Sequence, residues 1–187
     1  MNRNTRTKSI ISTAFFAAVI FLGIQSFRIP LPAAVGTPFL HFGHIFVMMA
    51  IVCLGAKRSM VAAVLGYLIF DLLNGYIHAI PNVLVTTVIK CLLIGTIYAI
   101  FEKKAAGDRK KESMYAILCA VIYGVTNIFL DFIWAVVELM LIGNTFGAAV
   151  AAEITSIPAT IINAVFTVIG TAILYVPVKN AYRRILK

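Results

Sequence analysis

Apolar residues run through this chain in long unbroken stretches, and the polar ones gather in short clusters between them. A helix crossing the hydrocarbon core of a bilayer needs about 20 predominantly apolar residues. Six segments approach that length: Ser9 to Phe27, Leu40 to Leu54, Ser59 to Leu73, Pro81 to Phe101, Ser113 to Ile142 and Ile157 to Val176. The second and third are short and the fifth is overlong. The connections Arg28 to Phe39, Asn74 to Ile80 and Gly143 to Ser156 alternate with the basic ones. The first of these, FRIPLPAAVGTPFLHFGH, holds Pro30, Pro32 and Pro38, so it reads as an ordered, non-helical loop that folds onto the bundle.

Composition sharpens the picture. Of 187 residues, 61% are hydrophobic and 12% charged, and the mean hydropathy of +0.99 excludes a water-solvated domain surface. No long polar stretch leaves room for a second domain, so residues 1–187 form one transmembrane unit. Fourteen of the sixteen Lys and Arg residues fall at Arg3, Arg6 and Lys8, at Lys57 and Arg58, between Lys103 and Lys111, and between Lys179 and Lys187. Basic loops stay on the cytoplasmic side, and two apolar segments separate each cluster from the next. An all-α, six-helix integral membrane bundle with both termini cytoplasmic follows. The net charge of +9 is thereby a matter of orientation in the membrane, and no nucleic-acid partner is expected. Arg3, Arg6 and Lys8 ahead of an apolar run also have the look of a signal peptide, but the parity of the spans requires that this helix be retained.

Ionisable side chains inside membrane spans are costly and mark function or a structural pair. Lys90 lies near the middle of the fourth span; Asp71, Asp131 and Glu138 lie toward the ends opposite the basic clusters. Lys90 either pairs with Asp71 or Asp131 to hold the bundle, or faces a cavity and binds a ligand. Asn74, Tyr76, His78, Asn127, Trp134 and Asn163 fall at the same level, and Asn127, Asp131, Trp134 and Glu138 share one helical face. Trp134 also suits a belt at the membrane interface. His41 and His44 have metal-ligand spacing without an accompanying Cys, Asp or Glu, and Cys53, Cys91 and Cys119 lie singly inside apolar runs, so neither a metal nor a disulfide is expected. Ala14 and Ala18 form a small-xxx-small face. No phosphate-binding loop, HExxH or GxSxG is present, and no cofactor is expected.

Together with the six-span pattern and the Ala14/Ala18 face, the segments FRIPLP, LHFGHIFVMMAIVCLGAKRSMVAAVLGYLIFDLLNGY and VIKCLLIGTIYAIFEKK resemble the substrate-binding S components of energy-coupling factor (ECF) vitamin transporters, in their riboflavin/hydroxymethylpyrimidine-type branch. The resemblance implies a prokaryotic plasma-membrane subunit that captures a vitamin from outside, with its pocket among helices four to six under the outer loops. It also implies a coupling transmembrane subunit docked on Ala14 and Ala18 and two cytoplasmic ATPases. Lys90 as donor, Asn163 and Asn127 as hydrogen-bonding amides and Trp134 or Tyr76 as a stacking platform suit a small hydroxylated heteroaromatic ring, pyridoxine or hydroxymethylpyrimidine. Riboflavin calls for a larger apolar slot, and folate for more basic residues than Arg28 and Lys90. A different class, a small membrane enzyme using Asp71, Asp131 and Glu138 as acid, base or metal ligands, is the alternative.

Overall fold

The computed structural model describes residues 3–33 and 38–186. Its helices are α1 (Arg3–Gln25), α2 (Gly43–Leu54), α3 (Ala56–Asn74), α4 (Ile80–Ala105), α5 (Arg109–Leu141), α6 (Phe146–Ile154) and α7 (Ile157–Leu186), with a single 3-10 turn at Ile77–Ala79 before α4. The proline-rich connection is a small ribbon in which β1 (Ile29–Pro30) runs antiparallel to β2 (Phe39–Leu40), Ile29 opposite Leu40. The middle of that loop, residues 34–37, falls outside the described residues.

At 12 residues α2 is about 18 Å long, too short to cross a bilayer alone. Its surroundings explain why that is tolerated: Gly43 to Ile45 and Val47 to Leu54 are all buried. The helix packs against α1, α3, α4 and α7, which with α5 form a partial ring around it. Among the described residues four stretches, Arg6–Gln25, Ile77–Ala105, Arg109–Leu141 and Ile157–Ile185, are long and apolar enough to span a membrane. Their outer faces carry Phe15, Phe129 and Ile173, each more than 60% exposed. That is the surface of a bundle solvated by lipid.

Without a hydrophobic force between helices in lipid, close approach depends on small residues. A Cβ at Gly95 of α4 would stand 2.5 Å from Ala56 Cα, and one at Gly66 of α3 would stand 2.8 Å from Ala17 O of α1. On α1 the alanines divide: Ala17 is buried against α3, whereas Ala14 and Ala18 are exposed.

Element boundaries depart from the apolar pattern where capping or side-chain pairing outweighs hydropathy. Helix α5 begins at Arg109 because the Asp108 carboxylate accepts from the Lys110 and Lys111 amides at 2.9 and 3.3 Å. Helix α6 was not anticipated; the Thr145 hydroxyl caps it, accepting from Ala148 N at 3.4 Å. Helix α7 continues through Pro177 to Leu186, held by a charged cluster at the basic end. There the Lys179 ammonium donates to Val52 O, near the C-terminus of α2, and lies 2.8 Å from Glu102. One Arg183 nitrogen donates to both Glu112 oxygens at 2.9 Å, and the Tyr98 and Tyr175 hydroxyls meet at 2.9 Å.

Candidate functional site

At the opposite end, α2, α3, α4 and α5 enclose a polar cavity of about 170 Å³, lined by His41, His44, Tyr67, Asp71, Asn82, Thr86, Thr87, Lys90 and Asp131 with Ile24, Phe39, Phe70 and Val83. Above it lies a vestibule of about 650 Å³ that shares Phe39, Phe70, Asp71, Asn82 and Val83 and adds Tyr76, His78, Glu153, Ser156 and Thr160.

Lys90 sits ten residues after the start of α4 and is 3% exposed. Its ammonium donates to Asn127 Oδ1 at 2.5 Å and lies 3.7 Å from Asp131 Oδ1, while Asn127 Nδ2 donates to Asp131 Oδ2 at 2.7 Å. The four-residue spacing of Asn127 and Asp131 on α5 puts both groups in reach of one lysine. The Lys90 charge also stands 5.8 Å from the centre of the Tyr123 ring. Of the two acids considered as its partner, Asp131 is the one in reach. Asp71 is 4% exposed, and its Oδ2 has no hydrogen-bond partner among the described residues.

Rings wall the cavity. Phe39 lies 5.4 Å from His41 and 5.9 Å from Phe70, and Phe70 stacks on Tyr76 at 5.8 Å. The His41 and His44 rings are 4.6 Å apart. His44 Nδ1 is 2.9 Å from both the Tyr67 and the Tyr123 hydroxyl. His41 Nδ1 accepts from Gly43 N at 3.1 Å, so the histidine pair is held by one local hydrogen bond and by the hydroxyls of α3 and α5. Asn163 binds backbone: its Nδ2 donates to Phe39 O at 3.0 Å, and its Oδ1 accepts from His41 N at 3.1 Å. Both ends of the amide are thereby engaged in fixing β2 and the two rings that line the cavity.

Outside the spans, Glu153 of α6 lies within the electrostatic reach of Asp131 and Glu138. Burial, with those two acids, pushes its carboxyl up to about 7.

The model of the family described as ECF-type riboflavin transporter, S component, matches residues 4–183. The chain belongs to that family. The S component is therefore an integral, multi-pass membrane protein of the substrate-binding class, and its family is a transporter subunit rather than an enzyme. Its fold is that of a solved structure, ThiT from Listeria monocytogenes, at 19% identity and a TM-score of 0.65, covering 97% of this chain and 98% of that one. No curated protein matches the chain.

The S component brings together Lys90, Asn127, Asp131 and Asp71 in and beside the deep cavity, and Tyr76 and His78 in the vestibule. Trp134 and Glu138 line neither space. Sequence reasoning passed over Tyr67, Asn82, Thr86, Thr87 and Glu153, and weighed His41 and His44 only as metal ligands. The pairs at three-residue and one-residue spacing, His41 with His44 and Thr86 with Thr87, were the available signal: polar side chains inside otherwise apolar helices must meet partners or a cavity.

Proposed function

We propose that this S component captures a small, single-ring B-group vitamin or precursor from outside the cell, pyridoxine or hydroxymethylpyrimidine in preference to riboflavin or folate, and hands it to an ATP-driven ECF complex. The supporting observation is the 170 Å³ cavity on Lys90, Asp131 and Asp71, walled by Phe39, Phe70 and His41. Pockets for drug-sized ligands hold about 300–1,000 Å³, so this space suits one ring with small substituents. Across the cavity and the vestibule the acids Asp71, Asp131 and Glu153 stand against Lys90, which disfavours a dicarboxylate such as folate. The vestibule of about 650 Å³ is the feature that favours the riboflavin reading, in which a fused ring system would occupy both spaces.

In this reading residues 1–187 are one domain of six membrane crossings, α2 and α3 included, with both termini and the basic loops cytoplasmic and the vestibule facing out. Lys90, Asn127, Asp131 and Asp71 present polar groups to the ligand, and Tyr76 and His78 form its entrance. Asn163 acts through Phe39 and His41. Trp134 and Glu138 stand outside the contact set. The exposed pair Ala14 and Ala18 receives the coupling subunit, two cytoplasmic ATPases drive transport, and lipid covers the remaining apolar faces. Loss of co-purification with the coupling subunit in an Ala14→Leu, Ala18→Leu double variant, with vitamin binding kept, is the expected sign of that docking face; equal loss of binding would place α1 in the site.

Calorimetric titration of the purified protein with the four vitamins tests the ligand reading. Tight binding of pyridoxine or hydroxymethylpyrimidine is expected. Tight binding of riboflavin alone would favour the larger-ligand reading, and no binding by any vitamin would contradict the transporter subunit reading for this site.

A further inference from the structure

Most buried polar groups at the pocket end are matched within the protein. Lys90 is held by Asn127 and Asp131, His44 by two tyrosines, and Asn163 by the β2 backbone. Two atoms break that pattern. Asp71 Oδ2, at the end of α3, and Asn82 Oδ1, in the first turn of α4, are buried and have no hydrogen-bond partner among the described residues. Both residues line the deep cavity and the vestibule above it. Helix α3 ends at Gly75, in a left-handed conformation with φ 78°, and the 3-10 turn leads straight into α4, so the two acceptors stand on consecutive helices that line the same space.

Buried polar atoms are almost always hydrogen-bonded, and one left alone is costly, a charged one most of all. An ionised carboxylate accepts hydrogen bonds and cannot donate; the amide oxygen beside it also accepts. The missing partner is therefore a donor, and it has to serve two acceptors. A hydroxyl carries one hydrogen and satisfies one of them. A primary amino group on a flat ring carries two in the plane of that ring, which the surrounding Phe39, Phe70 and His41 rings can flank. Lys90, also on the cavity wall, supplies the complementary donor for a ring nitrogen or an oxygen of the ligand.

We propose that Asp71 and Asn82 form an acceptor pair that reads an amino group on a single heteroaromatic ring, so that the ligand class is an amino-substituted azine rather than one bearing hydroxyls alone. This deepens the vitamin-capture reading and rests on it. Asp71 fixes the polarity of the pair, since its carboxylate also neutralises any positive charge that the amino-bearing ring acquires when it takes up a proton from water.

The test is calorimetric titration of the full chain with hydroxymethylpyrimidine carrying its amino group, with the analogue in which a hydroxyl replaces that group, and with pyridoxine. The amino compound should bind at least about tenfold more tightly than either comparator, because the hydroxyl leaves one acceptor unmatched. Asp71→Asn should weaken the amino compound by about tenfold or more and bring its ratio to the hydroxyl analogue close to one. Asn82→Ala, a smaller change at the start of a helix, should lower the same ratio in a protein that melts like the wild type, which keeps the test open if Asp71→Asn fails to fold. Equal affinity for the amino and hydroxyl compounds, or a ratio untouched by both substitutions, would overturn the proposal. Tight binding of pyridoxine or riboflavin without the amino compound would overturn it while leaving vitamin capture standing; no vitamin binding at all would remove both.

Discussion

The two ends of this bundle each bury a lysine, and they use it differently. At the basic end Lys179 ties three helices together, with a backbone carbonyl of α2 and the Glu102 carboxylate as its partners, and the neighbouring Arg183 and Glu112 close a second pair. At the other end Lys90 meets an amide and a carboxylate on α5 beside a cavity that also holds two unmatched acceptors. Polar groups satisfied by the protein itself make a clamp, whereas polar groups left facing a cavity make a site for something else. The difference separates what holds the fold from what the fold holds.

Lys179→Met offers the largest test of that contrast. Breaking a buried ion pair costs about 3–5 kcal/mol when both partners are enclosed. Glu102 keeps 39% of its side-chain surface exposed, so a loss of about 2 kcal/mol is expected in the stability of the detergent-solubilised protein, with vitamin affinity unchanged. A parallel collapse of affinity would show that the basic end shapes the site. Lys90→Met should do the reverse: an affinity loss of about 1–3 kcal/mol, roughly 5- to 150-fold by titration, with a smaller change in melting. A strongly destabilised protein that still binds would make Lys90 a second clamp.

A subtler effect concerns α6, which packs on α5 through its own apolar cluster of Val136, Leu139 and Ala149. Glu153 on this helix feels the charges of Asp131 and Glu138 from α5, and shares the vestibule with Asp71 and His78 from α3 and the turn after it. Its carboxyl is raised from 4.5 to about 7. The stability linked to it is therefore complete below pH 4.5 and is lost as pH rises through about 7. Protection factors of the α6 amides, with the intrinsic pH dependence of exchange divided out, should fall across that window in the wild type and stay flat in Glu153→Gln; identical profiles would remove Glu153 as the cause. The smallest effect belongs to Trp134, which lines neither space. Trp134→Phe should shift the affinity by less than about threefold, under 0.7 kcal/mol, and a larger loss in the same titration would return it to the contact set.

Much of this organisation was legible in the chain. Long apolar runs marked the helical membrane bundle, because lipid imposes a length on any spanning helix. Lys90, Asn127 and Asp131 stood out because charge inside an apolar run is rare, and the four-residue spacing put the last two on one face. The clamp was not legible: Glu102, Glu112, Lys179 and Arg183 sit among other charges at helix ends, where solvated side chains and paired ones read alike. Asn163 was marked as polar, but only the fold shows that its amide is taken up by Phe39 and His41. Helix α6 escaped notice because GNTFGAAVAAEITS is short and glycine-bearing, and its start depends on one Thr145 cap.

Mass spectrometry of small molecules extracted from purified wild-type, Lys90→Met and Lys179→Met proteins tests the division between the two ends most directly. A single-ring vitamin is expected from the wild type and from the Lys179→Met protein that remains folded, and none from Lys90→Met. The same vitamin recovered in equal amount from Lys90→Met, or lipid alone from the wild type, would contradict it.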